Sequence, residues 1–200
     1  MAVAKDHVTA LIRISRVLPG YFKLLSLTPN QELIVIMNDN SVHEYGKMLT
    51  EMPQDVKAMH LLDTSFEFDN RYVTVVSYRH HLLYRQNTAN DLQTEPTIPL
   101  FYYVHQRKAA EDHELAFFVA RREIKKLIGD VFEEKEKILV TDREFKGDNY
   151  LPNTDHAYCW IHLQKNVKWH AKTRLRIGEA DARIIRQEVL QMFMSTTEER

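Results

Sequence analysis

The sequence contains a single cysteine, Cys159, so no disulfide can form within the chain. One unpaired cysteine is typical of an intracellular protein. No apolar run approaches the ~18 residues that a membrane span needs. Polar residues also interrupt residues 1–20 too often for a secretory signal. We therefore expect a soluble, intracellular protein that has no membrane partner.

The sequence also has few glycines and a net charge close to zero. Five glycines in 200 residues provide little material for a phosphate-cradling loop, which disfavours a nucleotide-binding enzyme. The formal net charge of −1 excludes a polycation, so any affinity for nucleic acid must come from a local patch. The apolar share of 44% is enough for one medium domain with a small appendage.

Hydrophobic periodicity predicts an α/β fold, with a mixed sheet flanked by helices. Helices are predicted over 5–17, 41–49, about 111–128 with a C-cap at Gly129, and from 161 onward with a possible break at Gly178. Strands are predicted over 31–39, 59–68, 72–78, 98–104, 136–141 and 156–160. Residues 85–97 and 147–155 are predicted to be loops.

Two aspartates lie at the ends of strand-like runs, Asp63 in LLDTSFEF and Asp142 in ILVTDREF. An unpaired carboxylate is costly inside a strand, whereas ligands of open α/β sheets gather at the carboxyl ends of strands. Two acids brought together there could hold Mg²⁺, with waters and substrate phosphates completing its shell. The structural alternative is that Asp63 starts a turn and Asp142 caps a helix.

Three segments in order, LLDTSFEF, VTDREF and CWIHLQKN, resemble the Mutator-like (MULE) transposase domain over roughly residues 56–175. That family has an RNase H-like fold and a D-D-E metal site for DNA transposition. The resemblance implies that Asp63 and Asp142 are the first two catalytic, metal-binding acids, with Mg²⁺ or Mn²⁺ as cofactor. It also implies DNA as the partner and a nuclear location, with self-association into a homo-oligomer left open.

The resemblance divides the chain into an N-terminal α/β extension (1–55), an RNase H-like core (56–165) and a basic helical start of an insertion (166–200). The family's third acid is a glutamate on a later helix, and neither Glu179 nor Glu188 has that context. We expect this ligand to be missing and the chain to be catalytically incomplete, with Glu144 as the alternative third acid. The competing function is a domesticated, non-catalytic DNA-binding or protein-interaction module.

A cysteine and a histidine, Cys159 and His162, are spaced three apart and form a signature of the related transposases. The resemblance implies only that this pair lies near the site. Adding His156 or His170 would give a four-ligand zinc site, but zinc is disfavoured because the spacing lacks the second Cys/His pair of zinc fingers and ribbons. The alternative is a packed cysteine and a hydrogen-bonded histidine.

Between Cys159 and Gly178 the chain has basic residues and no acid. Four of them, at 165, 168, 172 and 176, are spaced to line one helical face, which suits sequence-independent contact with the DNA backbone. The candidate DNA-binding residues are Lys165, Lys168, Lys172, Arg174 and Arg176. The alternative is an ordinary solvated helix face. Trp160 and Trp169 are interpreted as packing residues rather than base-stacking platforms.

Overall fold

The computed structural model describes residues 2–28, 31–68, 71–87, 92–142 and 150–195. Helices and strands alternate along the chain. In order they are α1 (Ala2–Val17), β1 (Phe22–Thr28), β2 (Gln31–Met37), α2 (Asp39–Glu51), β3 (Ala58–Phe68), β4 (Arg71–Arg79), β5 (Arg85–Asn87), β6 (Leu92–Thr94), β7 (Thr97–His105), α3 (Ala110–Ile128), α4 (Val131–Glu134), β8 (Lys137–Thr141), β9 (Thr154–Tyr158), α5 (Trp160–Thr173) and α6 (Glu179–Ser195).

In the part of the chain that the structure describes, seven strands form one sheet in the order β1-β2-β7-β4-β3-β8-β9. The pairs from β1 through to β3 are antiparallel, whereas β3 and β8 are parallel. Strands β5 and β6 form a separate antiparallel pair. The predicted α/β class, a mixed sheet flanked by helices, is therefore confirmed.

The chain divides into two compact units. One unit comprises Met1–Val140 with Lys146–Ala157, and the other comprises Thr141–Phe145 with Tyr158–Arg200. The N-terminal strands β1 and β2 belong to the same sheet as β3, β4 and β7. The predicted domain borders at residues 55 and 165 stay predictions.

The core of the first unit lies between one face of the sheet and the helices α2 and α3. Tyr45 of α2 packs against Tyr78 of β4, with ring centroids 4.8 Å apart, and Phe101 of β7 meets Phe117 of α3 edge-on at 5.3 Å. All four side chains are at most 1% exposed. Buried aromatic pairs of this kind dominate core energetics, so this face fixes how the helices sit on the sheet.

A close approach of α2 to α3 depends on Gly46. A Cβ atom at this position would lie 2.6 Å from Cγ2 of Ile128, closer than real Cβ contacts allow. The absence of a side chain at Gly46 therefore lets the two helices pack against each other. At the end of α3, Gly129 has φ +69° and its N–H bonds Lys125 C=O at 2.9 Å, which confirms the predicted C-cap.

The helical tail forms the second unit and breaks where predicted, because Gly178 lies between α5 and α6. Ala171 and Ala182 are buried in this unit. Both hydrogen bonds that join Arg186 to Gln164 end on the Oε1 atom, at 2.6 and 3.0 Å. None of the described helices combines the length and apolar composition needed to cross a bilayer.

Three details of the predicted elements are wrong. Strand β1 is an additional strand that the sequence pattern does not predict, because FKLLSLT lacks a clean two-residue alternation. The predicted loop 85–97 contains β5 and β6. The last predicted strand ends at Tyr158 rather than 160, since Cys159 is already the N-cap of α5.

Candidate functional site

Asp63 lies in β3 on the open face of the sheet. Its neighbours Leu62 and His60 point to the other face, where they are 5% and 0% exposed, whereas Asp63 itself is exposed. Val75 of β4 is its partner in the antiparallel register. A charged side chain is tolerated at this strand position because the two-residue period turns it away from the core.

Asp142 directly follows the last residue of β8 and is partly buried. In β8 the residues Lys137, Leu139 and Thr141 are buried and those between them are less so. The Thr141 hydroxyl donates to the backbone carbonyl of Asp142 at 2.9 Å. Asp142 is therefore the first residue after a buried strand, as the sequence predicts.

The parallel register of β3 and β8 is the relationship that bears most directly on the two acids. It pairs Ala58 with Lys137 and continues to Leu61 opposite Val140, both within the first unit. Asp63 follows Leu61 by two residues, and Asp142 follows Val140 by two residues. Both strands thus run the same way, side by side, toward the positions that carry the acids.

On the buried face, a chain of hydroxyl and imidazole groups crosses β3, β4 and β7. Thr64 and Thr74 share a hydrogen bond of 3.0 Å, and Thr74 is 2.8 Å from Nε2 of His105. Nδ1 of His105 donates to the carbonyl of Arg107 at 2.5 Å, so Nε2 accepts from Thr74 when the ring is neutral. Burial lowers the pKa of His105, which favours that neutral form.

Sequence reasoning missed this chain of contacts, although Thr64 adjoins Asp63. Its signal would have been threonines at facing strand positions and a histidine at a strand end. Nearby, His113 of α3 and Tyr103 are joined at 2.5 Å, and burial lowers the pKa of His113 to about 4. Burial thus favours the neutral form of both His105 and His113.

The Cys159–His162 pair lies at the start of α5. Cys159 is partly buried and reduced; its N–H bonds the Thr141 carbonyl at 2.6 Å, and its own carbonyl accepts from Leu163 at 3.0 Å. The backbone of Cys159 therefore ties the start of α5 to the end of β8, within the second unit. Nδ1 of His162 is buried without a hydrogen-bond partner among the described residues.

The predicted basic face of α5 is wrong in part. The helix ends at Thr173, so Arg174 and Arg176 lie beyond it, and Arg176 has φ +54°. The four positions 165, 168, 172 and 176 therefore do not form one helical face. Lys165, Arg174 and Arg176 are exposed.

An acid also neutralises part of the predicted basic face. Glu179 of α6 binds Lys168 at 2.5 Å and also binds Lys172. These two hydrogen bonds lower the pKa of Glu179 to about 2. The same glutamate is therefore engaged with lysines rather than placed as a third metal ligand. Trp169, interpreted as a packing residue, is instead 54% exposed.

The remaining metal candidates do not form a cluster. No three histidine, cysteine, aspartate or glutamate side chains converge as a possible metal group in residues 2–28, 31–68, 71–87, 92–142 and 150–195. His156 lies in β9 and His170 is exposed on α5 beside Trp169. Glu144, the alternative third acid, lies outside the described residues.

Comparison with protein-family models, with curated proteins and with solved structures found no match to this chain.

Proposed function

We propose that this chain is a transposase-derived domain with an RNase H-like sheet, in which Asp63 and Asp142 bind Mg²⁺ or Mn²⁺ and act on DNA. The observation that carries the proposal is the order and direction of five strands. Counted along the chain from β3, and leaving out β5 and β6 because they form a separate pair, the sheet runs third-second-first-fourth-fifth. The first strand is antiparallel to the second and parallel to the fourth.

We propose that this arrangement is that of an RNase H-like sheet. The helices α3 and α4 lie in the connection between the third strand, β7, and the fourth, β8. The first and fourth strands, β3 and β8, are neighbours in this sheet. Asp63 lies within the first, rather than at its end, and Asp142 directly follows the fourth.

The two carboxylates suit a hard divalent cation. Leu61 and Val140 lie on neighbouring strands, which are about 4.8 Å apart, and an acid follows each of them by two residues. Mg²⁺ uses one or two carboxylates and keeps several waters, a donor set that this pair can supply. The exposed position of Asp63 leaves room for those waters and for a phosphate.

When bound, divalent ions in such sites activate a water or a DNA 3′-hydroxyl for in-line attack and stabilise the leaving oxygen. The chain's own contribution is to hold the two carboxylates on rigid strands and to present cations to the DNA backbone. Lys165, Arg174 and Arg176 are the exposed cations proposed for that contact, with Lys168 and Lys172 also bound to Glu179.

The proposal assigns no third carboxylate. Glu179 pairs with lysines, and the exposed Glu188 of α6 belongs to no group of three possible metal ligands among the described residues. Two carboxylates can bind an ion weakly, but they lack a ligand of the D-D-E set. We therefore propose that cleavage by this chain alone is weak or absent, while metal binding persists. A nuclear location would follow from the DNA substrate.

The test combines metal binding with plasmid nicking. Wild-type protein is titrated with Mn²⁺ by isothermal calorimetry, and supercoiled plasmid is incubated with Mg²⁺ or Mn²⁺. We expect binding that is lost in Asp63→Asn and in Asp142→Asn and kept in Asp55→Asn, an exposed acid elsewhere in the first unit. Wild-type binding that both site variants retain would refute the metal site. Strong nicking that depends on both acids would refute the missing third ligand.

A second candidate is a non-catalytic module that binds DNA or a protein partner. The basic segment from Cys159 to Gly178, which has no acid, favours DNA. This candidate predicts salt-dependent DNA binding that EDTA leaves unchanged and that charge reversal at Lys165, Lys168 and Lys172 weakens. Unchanged affinity after the triple reversal would exclude the patch as a DNA contact.

A further inference from the structure

An exposed face of α5 carries an aromatic and a basic side chain together. Ile161, Lys165 and Trp169 are spaced four residues apart, so they lie on one face of the helix. Ile161 is 62% exposed and Trp169 is 54% exposed, and Lys165 between them is also exposed. Gln164 is bonded to Arg186, which places the contact with α6 on another part of α5.

The charges on this helix differ in availability. Lys168 and Lys172 are bound to Glu179, whereas Lys165 has no ion-pair partner among the described residues. The exposed Arg174 and Arg176 follow the end of the helix. Along the chain, Trp169 therefore has an exposed cation before it and two after it, which makes this surface complementary to a polyanion.

We propose that this face binds single-stranded nucleic acid, with an unpaired base stacked on Trp169 and a backbone phosphate at Lys165. The choice of DNA as the natural ligand rests on the proposed function. Four residues of α-helix advance about 6 Å, so one nucleotide can reach both side chains. Paired bases are already stacked on each other, whereas an unpaired base leaves a face for the indole.

The alternative occupant of an exposed apolar stripe is a second copy of the chain. Nucleic acid is the favoured occupant of this face because a lysine lies between its two apolar side chains and arginines follow it in the chain. Charged residues are depleted at the cores of protein interfaces, whereas base stacking beside cations is how single-strand binders hold their ligand. Self-association is therefore treated as an outcome of the test.

The experiment measures fluorescence anisotropy of a labelled oligo-dT of about 20 nucleotides, longer than the site of one single-strand binding fold. The buffer contains EDTA, and a duplex of equal length and an oligo-U provide the comparison. Trp169→Ala is expected to weaken oligo-dT binding about 10-fold or more, as measured for base–aromatic stacking. Trp169→Phe should retain most of the affinity.

The control is Phe118→Ala, which removes an equally exposed aromatic side chain from α3 and should bind as wild type does. Lys165→Gln should reduce the slope of log K against log salt by about 0.7, the value of one single-strand phosphate contact. Oligo-U bound as tightly as oligo-dT supports the surface and widens its ligand to RNA.

Several outcomes would overturn the inference. They are no detectable oligo-dT binding by wild type, equal binding of Trp169→Ala and wild type, or a preference for the duplex that Trp169→Ala does not change. Light scattering that shows a dimer lost in Trp169→Ala, without a change in oligo-dT affinity, assigns the face to self-association instead. The anisotropy assay contains EDTA, so its result does not depend on whether Asp63 and Asp142 bind a metal. Likewise, a failure of the proposed stacking on Trp169 leaves the result of the metal-binding test unchanged.

Discussion

Leu61 of β3 lies opposite Val140 of β8 in a parallel register, and an aspartate follows each of them by two residues. This pairing brings two distant segments of the chain into neighbouring strands that run in the same direction. The proposed metal site depends on it, because a slip of one residue would move a carboxylate to the opposite face.

Metal binding at Asp63 and Asp142 predicts a Mg²⁺-dependent gain in stability. An ion that binds only the folded state stabilises it by about 2.7 kcal/mol at one hundred times Kd. Urea unfolding with and without Mg²⁺ should show this gain for wild type and for Asp55→Asn. In Asp63→Asn the gain should disappear, while stability without metal is unchanged or higher because a like charge has been removed. An equal gain in all three proteins would contradict the site.

The ion pairs of Glu179 predict that removing its charge will increase the affinity of the protein for DNA. Replacing it in Glu179→Gln frees Lys168 and Lys172, so duplex DNA should bind more tightly at low salt. The slope of log K against log salt should steepen by about 0.9 for each lysine that then contacts a phosphate. Glu188→Gln makes the same charge change at an exposed position of α6 and serves as the control. If both variants bind alike, Lys168 and Lys172 do not contact DNA.

The contact of Gly46 with Ile128 predicts a steric penalty. Alanine is intrinsically favoured over glycine in a helix by about 1 kcal/mol. The added Cβ at 2.6 Å from Ile128 should outweigh this, with overpacking costs of about 1–3 kcal/mol. Thermal unfolding of Gly46→Ala should therefore show a lower Tm than wild type. In a protein that already carries Ile128→Ala, the same Gly46→Ala change should lower the Tm by less. Gly20→Ala, where nothing lies within 4 Å, is the control. A higher Tm for Gly46→Ala would contradict the packing.

Buried His60 predicts loss of stability in mild acid. Desolvation, together with Lys137, lowers its pKa to about 3, and its Nε2 lies 2.8 Å from the Tyr45 hydroxyl. The unfolded chain thus binds more protons between about pH 6.5 and 3, and the free energy of unfolding falls as pH falls through that range. From pH 7.5 to 5.5 the loss from His60 alone is about 1.4 kcal/mol.

The measurement is urea unfolding at pH 7.5 and 5.5. Tyr45→Phe with His60→Leu removes the titrating ring without leaving its hydroxyl partner behind, so this double variant should lose less stability in acid than wild type. The single variant Tyr45→Phe keeps the histidine and should remain as acid-sensitive as wild type. A double variant that loses as much stability as wild type would show that His60 does not titrate in this range.

Much of the fold follows from local pattern. The strands β3, β4 and β7 and the helix α3 were predicted because their apolar residues recur with clear periods over long segments. Strand β1 was missed because Leu24 and Leu25 are adjacent, so neither face is marked. The order of strands is a long-range property that no local pattern encodes, so it became known only from the structure.

The candidate site was predictable only in its acids. Asp63 and Asp142 stood out because carboxylates are unusual at such positions, but the register that relates their strands required the structure. The basic stripe was predicted to continue to Arg176, and it fails there because α5 ends at Thr173 without a glycine or proline to mark it. Its pairing with Glu179 was hidden because the acid lies on the next helix.

The antiparallel pairing of β2 with β7 has a practical consequence for anyone who shortens the protein. Cutting the chain before residue 56 would remove β1 and β2 and leave the backbone groups of β7 open to solvent. A bare strand of that kind recruits other chains, so the trimmed protein should precipitate when it is expressed. Residues 1–55 thus cover an edge of the sheet that would otherwise be exposed.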